Sequence, residues 1–573
     1  MVTGGTRSTV IDRRFSRRRA LQGGSLAGAG LAAALAACGG RGQPGGGTAA
    51  KTSGAASAQP RKGGVLVHVG GNGPSGSYDI SSTQLDPHIN TPPAARGFRL
   101  VYQGLLGYDL RTYEVQPELA QKWEQASPTE LIFHLQPGVK WHNKPPLNGR
   151  ALTADDVVFG LDRMRTNDPK FFNRSLIENV DKIQAVDKST VRVTTKGPDA
   201  SVLSYLSADP ALMMAPEVVQ KFDKFNTAES VAGTGAFILK TLEDQVAGEY
   251  VRNPDFWKAG RPYLDSVRTQ NAEDQSTAYA AFQAGQLDIL LLPGQETTAY
   301  LAKQAPGFKG DWFSDDTVFP MLQPNTKTKP MNDARVTKAL RLLVDHDEFI
   351  TAWVEPWYGR GRHGGVLALA LEGWDLSVDE YSKLLEWKKP KDDAAKEAIS
   401  LLSAAGYSKD NPLSFEMVGG NQSFSTAAMT LLQAQWAKLS QGTVKTTIKQ
   451  VSQVEQNAVR ANRSFTVFVG GNSAAFPEVD AYFNTLYATG ASRNYTGFSD
   501  PKVDEMALKQ RTILDNTQRK AYVKDMVKYL LDNLPSTMLV NRYFLNGVKP
   551  KVHDYAPEFF INGRQYEWIW MDA

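Results

Sequence analysis

Apolar and polar residues alternate along the stretch from residue 131 to residue 141. Leu131, Phe133 and Leu135 occupy every second position, a Pro-Gly pair follows at 137–138, and the alternation resumes up to Trp141. Alternation of this kind is typical of a strand with one buried face, and Pro-Gly favours a turn. The pattern therefore predicts a β-hairpin that turns at 137–138 and buries one side.

A helical period follows this stretch. Thr153 is a suitable N-cap residue, and the aspartate pair at 155–156 places negative charge in the first turn, where the helix dipole favours it. Val157, Leu161 and Met164 then recur at intervals of four and three residues. The segment is predicted to be a helix with one apolar stripe.

The same criteria predict further elements along the chain. The expected strands and helices are a strand at 63–69, a helix at 278–284 ended by Gly285, a buried strand at 288–292, a helix at 336–344 capped at 332–333, and a helix at 396–405 ended by Gly406.

Length and charge narrow the class of protein. A chain of 573 residues exceeds what one hydrophobic core usually organises, so at least two lobes are expected. The formal net charge is +4, but residues 1–37 hold six arginines and one aspartate, which leaves 58 basic against 59 acidic residues in the remainder. The body is therefore nearly neutral, and no basic surface for nucleic acid is expected.

The arginines at the N-terminus belong to an export signal. The run Ser-Arg-Arg-Arg-Ala-Leu-Gln at 16–22 resembles the twin-arginine motif, with Ala20 where Phe is usual, so the general secretory route stays open. A Gly/Ala/Leu run up to residue 37 is short for a membrane span and ends in Leu-Ala-Ala-Cys, which resembles a bacterial lipobox. Residues 1–37 are interpreted as a signal peptide and Cys38 as the lipidated residue.

Cys38 is the only cysteine, so internal disulfides and cysteine-based metal sites are excluded. Residues 38–62 are mainly Gly, Ala, Ser, Thr, Pro and Gln, a composition that cannot bury enough apolar area to order itself. This segment is predicted to be a flexible tether with a reach of about 25 to 30 Å.

Four short blocks occur in a fixed order between residues 100 and 164. They are Gly-Leu-Leu-x-Tyr-Asp at 104–109, Pro-Glu-Leu-Ala-x-x-Trp at 117–123, Pro-Gly-Val-Lys-Trp-His at 137–142 and Leu-Thr-Ala-Asp-Asp-Val at 152–157. In this order they resemble the family 5 extracellular solute-binding proteins, the receptors of peptide, nickel and related ABC importers. The resemblance extends over residues 63–573 and is weakest at 355–395.

The resemblance implies an α/β, two-lobed type II periplasmic-binding-protein fold with an extra subdomain in the first lobe. The implied parts are a core lobe at 63–111, 234–314 and 541–573, an inserted subdomain at 112–233 and a second lobe at 315–540. It also implies a monomeric, extracytoplasmic receptor, anchored to the membrane through Cys38, that captures a small solute between its lobes. The receptor would deliver this solute to the transmembrane permease subunits of an ABC importer.

The resemblance also implies the position of the ligand. The residues expected to contact it are Asn90, Arg96, Trp357, Asn421, Gly471, Asn472, Phe476, Glu478 and Asp480. Core packing is the alternative for Trp357, which lies in the segment that departs most from the family pattern.

In peptide-binding members an aspartate shortly after the Gly-rich strand holds the α-ammonium group of the ligand. Here Ala475 stands at that place. Two alternatives follow. Either Glu478 or Asp480 replaces the aspartate and the ligand is an oligopeptide, or the ligand lacks a free ammonium group and is an oligosaccharide, an opine-like conjugate or a blocked peptide.

An enzymatic function, such as a cell-surface hydrolase, is the competing class. No His-x-x-x-His pair and no Gly-x-Ser-x-Gly motif is present, so no catalytic residue and no cofactor is assigned. The acidic run around Asp345 and Asp347 invites a metal interpretation. Their spacing puts the two carboxylates on different faces of a helix, which favours a helix cap or solvated charges over a metal site.

Overall fold

The computed structural model describes residues 59–69, 85–89, 98–109, 112–168, 170–243, 246–272, 275–292, 309–314, 318–474, 477–556 and 564–572. The predicted signal peptide, Cys38 and most of the predicted tether lie outside these ranges. The described residues belong to one compact unit, Gln59–Ala573.

The larger sheet, here called the first-lobe sheet, combines segments that are far apart in sequence. In spatial order its strands are Lys309–Ser314, Val540–Val548, Ile289–Leu292, Val65–Val69, Ser266–Gln270, Ala247–Arg252 and Phe237–Glu243, and Gly361–His363 pairs with the first residues of Val540–Val548. Leu66, Phe237 and Val267 form part of the core that packs against this sheet.

A second sheet, here called the second-lobe sheet, is built from later parts of the chain. In spatial order its strands are Val444–Val451, Leu413–Gly420, Val467–Asn472, Val318–Pro324 and Thr537–Met538. Its core includes Met417 and the fully buried Trp436, whose indole N–H donates to the Leu340 carbonyl over 2.9 Å.

The chain passes directly from a strand of the first-lobe sheet to a strand of the second-lobe sheet between Ser314 and Val318, and in the opposite direction at Leu539. On the first-lobe side Lys309–Ser314 pairs antiparallel with Val540–Val548, and on the second-lobe side Met321 pairs with Met538. The two passages therefore lie side by side, and they are called the crossover below.

A third, antiparallel sheet lies within the predicted inserted subdomain, residues 112–233. Its spatial order is Ala120–Ser127, Glu130–Leu135, Thr190–Thr195 and Val180–Asp187. The predicted alternation is confirmed, because Leu131, Phe133 and Leu135 are buried.

The predicted hairpin at 137–138 is wrong. Glu130–Leu135 already has a strand on each side, Ala120–Ser127 and Thr190–Thr195. With both edges hydrogen-bonded, the strand has no free edge for the residues after Gly138. Lys140 instead forms an isolated bridge with Ala151.

Two further pairs of short strands are Leu106–Tyr108 with Val115–Pro117, and Val552–His553 with Trp570–Met571. The α-helices of the described residues are Phe98–Val101, Ala154–Met164, Val202–Leu206, Pro216–Lys221, Gln275–Gln283, Ala334–Leu342, His346–Phe349, Glu355–Tyr358, Val378–Tyr381, Asp392–Ala404, Ser423–Leu439, Gln453–Ala461, Val479–Tyr482, Pro501–Arg511 and Asn516–Asn533. Phe172–Ile177, Asp209–Ala211, Leu369–Trp374 and Arg564–Glu567 are 3₁₀ turns, and Ile350–Val354 and Phe483–Tyr487 are π-helical.

The predicted helix caps are confirmed. Thr153 is the N-cap of Ala154–Met164, and its backbone N–H donates to Oδ2 of Asp156 over 2.9 Å. The carboxylate of Asp333 caps Ala334–Leu342 by accepting from the N–H of Arg335. Gly285 and Gly406, which follow predicted helices, both have positive φ, as expected of residues that end a helix.

Glycines at 233 and 235 serve the packing of the first lobe. A Cβ atom on Gly233 would lie 2.1 Å from the Val101 carbonyl oxygen, and one on Gly235 would lie 2.5 Å from that of Leu100. These positions therefore require glycine because two backbone segments come into direct contact there.

Candidate functional site

The parallel strands of the second-lobe sheet end on the side of the crossover. Leu413–Gly420 runs parallel to Val444–Val451 and to Val467–Asn472. Asn472, the last residue of its strand, pairs with Val318, the first described residue after the chain enters this lobe. The carboxyl ends of these strands therefore lie beside the crossover.

The first-lobe sheet shows the same relationship. Val65–Val69 and Ile289–Leu292 are parallel. Ile289–Leu292 also pairs with Val540–Val548, the strand that begins at the crossover. Its last residue, Leu292, pairs with Leu545, and its first residue, Ile289, pairs with Val548, which lies farther from the crossover. The carboxyl ends of these strands also point toward the crossover. In open α/β sheets, ligands bind in the crevice outside the carboxyl ends of the strands. The space between the two edges is the candidate site and is called the cleft.

On the first-lobe side, the predicted ligand contacts Asn90 and Arg96 lie outside the described residues. The preceding segment is held firmly in place. Arg163 donates to Oδ1 of Asp86 over 2.9 Å and to Nδ1 of His88 over 2.8 Å. Burial and the neighbouring Arg163 charge lower the pKa of His88 to about 4, so the ring is neutral and can accept this bond.

On the second-lobe side, three predicted residues lie at the cleft. Asn421 follows the end of Leu413–Gly420 and is exposed. The Gly471 carbonyl accepts from Nη1 of Arg460 over 3.0 Å, and Nδ2 of Asn472 donates to the Arg493 carbonyl over 3.0 Å. Phe476 lies outside the described residues.

Glu478 and Asp480 are buried and paired with arginines. Arg519 donates to Oε1 of Glu478 over 2.5 Å. Arg511 donates to both oxygens of Asp480, over 3.1 Å from Nε and 2.9 Å from Nη2. Asp480 is 0% exposed. An ammonium-binding role for either carboxylate stays a prediction, and in this structure Glu478 neutralises the buried Arg519 and Asp480 neutralises the half-buried Arg511.

Asp480 also connects two parts of the chain. Its Oδ2 accepts from the Tyr205 hydroxyl over 2.8 Å, and its Oδ1 accepts from Gln510 over 2.5 Å and from Asn484 over 2.8 Å. The Ala200 N–H donates to the Arg511 carbonyl over 2.8 Å. The inserted subdomain therefore contacts the second lobe around this carboxylate.

The tryptophans near Trp357 have different surroundings. Trp357 is half-buried and packs against the second-lobe core. Trp353 lies inside that core, where its indole N–H donates to the Phe424 carbonyl over 2.7 Å. Trp374 lies about 5.2 Å from the charged group of Arg519. A ligand contact from Trp357 stays a prediction.

The acidic run beside the crossover provides a helix cap, as predicted. The carboxylate of Asp345 accepts from the N–H of Glu348 over 3.0 Å at the start of His346–Phe349. Asp347 lies 2.5 Å from Nε2 of His363. Within the described ranges, no group of three or more His, Cys, Asp and Glu side chains is arranged to hold a metal ion.

Four arginines that the structure places near the cleft or under its edge were not predicted from the sequence. They are Arg460, Arg493, Arg511 and Arg519. Arg511 is the last residue of Pro501–Arg511, and Arg519 lies in Asn516–Asn533. They lie 31 and 41 residues along the chain from the acids that they neutralise. No local sequence pattern identifies ion-pair partners that lie so far apart in the chain.

Comparison with known proteins decides the family. A sequence model of bacterial extracellular solute-binding proteins, family 5 Middle, matches residues 114–494. This chain belongs to that family. The family 5 protein accordingly has the two-lobed α/β fold of type II periplasmic binding proteins, with an additional subdomain. Among the described residues, no helix has both the length and the apolar character needed to cross a membrane.

Relatives of the family 5 protein are named for different ligands. The dipeptide-binding protein of Escherichia coli K12 is 24% identical over 489 residues, covering 80% of this chain and 86% of that protein. The glutathione-binding protein GsiB of Pectobacterium atrosepticum is 25% identical over 483 residues, covering 82% and 88%. Among solved structures, HbpA2 from Haemophilus parasuis has a TM-score of 0.72 at 21% identity, covering 89% of this chain and 100% of that chain.

Proposed function

We propose that the protein is a membrane-anchored receptor that captures an oligopeptide between its two lobes and delivers it to the permease of an ABC importer. The observation that carries the proposal is that the carboxyl edges of both sheets lie at one crossover of two adjacent passages. Two side-by-side passages allow the lobes to rotate about one axis and close on a solute.

Peptides are proposed first because relatives are named for dipeptides and oligopeptides. A second ligand class has its own support. Ala475 stands where an ammonium-binding aspartate is expected, and Asp480 already accepts hydrogen bonds from four side chains. An opine-like or saccharide ligand without an ammonium group needs no such carboxylate.

Mass spectrometry of the solutes that co-purify with the protein, followed by calorimetry and small-angle scattering with short peptides, tests the proposal. We expect binding accompanied by compaction of the protein. Binding of a neutral saccharide with no response to any peptide would replace the peptide by the second ligand class. No binding of any small solute would contradict the receptor function.

The anchor rests on the lipobox-like run before Cys38 and has a separate test. A diacylated cysteine carries more than one chain, so stable membrane association is expected. Cys38→Ser should release the protein into the soluble fraction of its host. A substituted protein that still sediments with membranes would contradict lipidation at Cys38.

The receptor is proposed to lack catalytic activity, consistent with a family of solute-binding proteins. Chromogenic peptides and glycosides provide the assay. Turnover that survives further purification would support the hydrolase alternative instead.

A further inference from the structure

Two arginines at the second-lobe edge of the cleft have no acidic partner among the residues that the structure describes. Arg460 donates to the Gly471 carbonyl over 3.0 Å, and Arg493 donates to that of Ser473 over 2.5 Å. Within the part of the chain that the structure describes, no carboxylate lies within salt-bridge distance of either guanidinium. Carbonyl oxygens of the strand end hold both cations in place without neutralising them.

The surroundings of Arg460 fix its guanidinium plane. It lies 5.0 Å from the ring centre of Tyr495 and 5.5 Å from that of Phe468. Nη2 donates to Oδ1 of Asn457 over 2.9 Å, whereas Nε is buried and lacks a hydrogen-bond partner among the described residues. Burial lowers the pKa of Arg460, and the nearby Arg493 charge lowers it further.

Two other arginines of the second lobe are arranged differently. Arg511 and Arg519, a short distance along the chain, each contact a buried carboxylate. Two cations that are partly removed from water, close together and without an anion among the described residues are an unfavourable arrangement in the ligand-free protein. A planar guanidinium held in one orientation, with one N–H of each terminal nitrogen left over by the described partners, is well suited to bind a carboxylate.

We infer that the solute carries an acidic group, which in a peptide is a side-chain carboxylate, and that Arg460 and Arg493 bind this carboxylate at the end of Val467–Asn472. The exposed amide of Asn421, which follows the neighbouring strand, provides a further polar contact beside it. The inference rests on the proposed receptor function and narrows its ligand to acidic solutes, whether acidic peptides or sugar acids.

Two matched pairs of probes separate the ligand class from the charge requirement. The tripeptides Ala-Glu-Ala and Ala-Gln-Ala differ by one carboxylate, as do galacturonate and galactose. Calorimetry with all four is carried out on the wild-type protein, Arg460→Gln, Arg493→Gln and Arg460→Lys. Arg335→Gln is the control, because Arg335 is exposed on the same lobe and is paired with Asp333.

The wild type should prefer the acidic member of at least one pair by about ten-fold or more, as expected for a charge-assisted hydrogen bond. Arg460→Gln and Arg493→Gln should each abolish most of this preference, Arg460→Lys should keep part of it, and Arg335→Gln should leave it unchanged. Folding is checked by thermal unfolding, and Arg460→Lys keeps the charge if Arg460→Gln does not fold.

If the wild type binds both members of each pair with equal affinity, the inference is overturned while the receptor function stays intact. The same holds if Arg460→Gln and Arg493→Gln leave the preference for the acidic member unchanged. If the wild type prefers galacturonate to galactose but does not distinguish the two peptides, the inference is supported and the proposal of a peptide ligand is contradicted. If the wild type binds none of the four probes, the inference is overturned, and so is the assignment of acidic peptides or sugar acids as the solute.

Discussion

The hydroxyl of Tyr205 donates a hydrogen bond of 2.8 Å to Oδ2 of Asp480, across 275 positions of sequence. Tyr205 lies in Val202–Leu206 of the inserted subdomain, and Asp480 lies in Val479–Tyr482 of the second lobe. Burial, followed by the Asp480 charge, raises the pKa of Tyr205 well above its ordinary value, so the hydroxyl keeps its proton. The bond therefore joins the predicted inserted subdomain to the predicted second lobe, which would separate if the proposed receptor opens its cleft.

Tyr205→Phe keeps the ring and removes this bond, so it should favour open forms of the ligand-free protein by about 1 kcal/mol. Small-angle scattering should show a larger mean radius of gyration than in the wild type. Tyr529→Phe is the matched control, since Tyr529 donates to Asp500 over 2.9 Å within the second lobe alone. Identical scattering from both variants would contradict a role for Tyr205 in closure.

Asp480→Asn tests whether this carboxylate supports the fold or anchors a ligand. Removing its charge leaves Arg511 without its partner, so the free energy of unfolding in urea should fall by about 3 kcal/mol. The double variant Asp480→Asn with Arg511→Gln should recover part of the loss. Unchanged stability combined with lost peptide binding would instead support Asp480 as the ammonium site.

His142 should make the protein less stable in mild acid. Its Nε2 lies 3.1 Å from the Gly235 carbonyl and its Nδ1 accepts from the Gly233 N–H over 3.3 Å, so only the neutral ring fits. Burial lowers its pKa to about 3. The unfolded chain takes up this proton near pH 6.5, and stability is therefore lost as the pH falls from about 6.5 toward 3.

Between pH 7 and pH 5 this histidine should account for a loss of about 2 kcal/mol. His142→Gln should reduce the slope of unfolding free energy against pH over that interval. His134→Gln serves as the control because His134 is half-exposed beside Glu124. Equal slopes in both variants would show that His142 is not the responsible group.

Gly233→Ala should destabilise the protein by about 3 kcal/mol or more, because its Cβ would lie 2.1 Å from the Val101 carbonyl oxygen. Gly197→Ala is the matched substitution, since nothing lies within 4 Å of the Cβ that it adds. Thermal unfolding of the two variants provides the measurement. Similar midpoints would contradict the close approach of the two backbone segments.

Gly233 also shows where sequence reasoning was limited. The sequence alone shows that the Gly-x-Gly pair at 233 and 235 lacks the third glycine of a dinucleotide-binding motif, and it gives no other role for the pair. Its actual role depends on the distant segment that ends at Val101. The family and its two-lobed fold were predicted from short ordered blocks, and that prediction is confirmed. The residue-level boundaries of the lobes stay predictions, and Gly361–His363 of the predicted second lobe pairs in the first-lobe sheet.

Local elements were determined by the sequence itself. Ala154–Met164 and Ala334–Leu342 follow from apolar periodicity and from caps at Thr153 and Asp333, since these interactions join residues at most four positions apart. The tertiary structure decided which strands lie beside Glu130–Leu135. It also decided which arginines pair with Glu478 and Asp480, the two acids that follow Val467–Asn472. Strand edges and buried charges are satisfied by whichever groups the fold brings near, and the hydroxyl that meets Asp480 comes from Tyr205, 275 residues earlier in the chain.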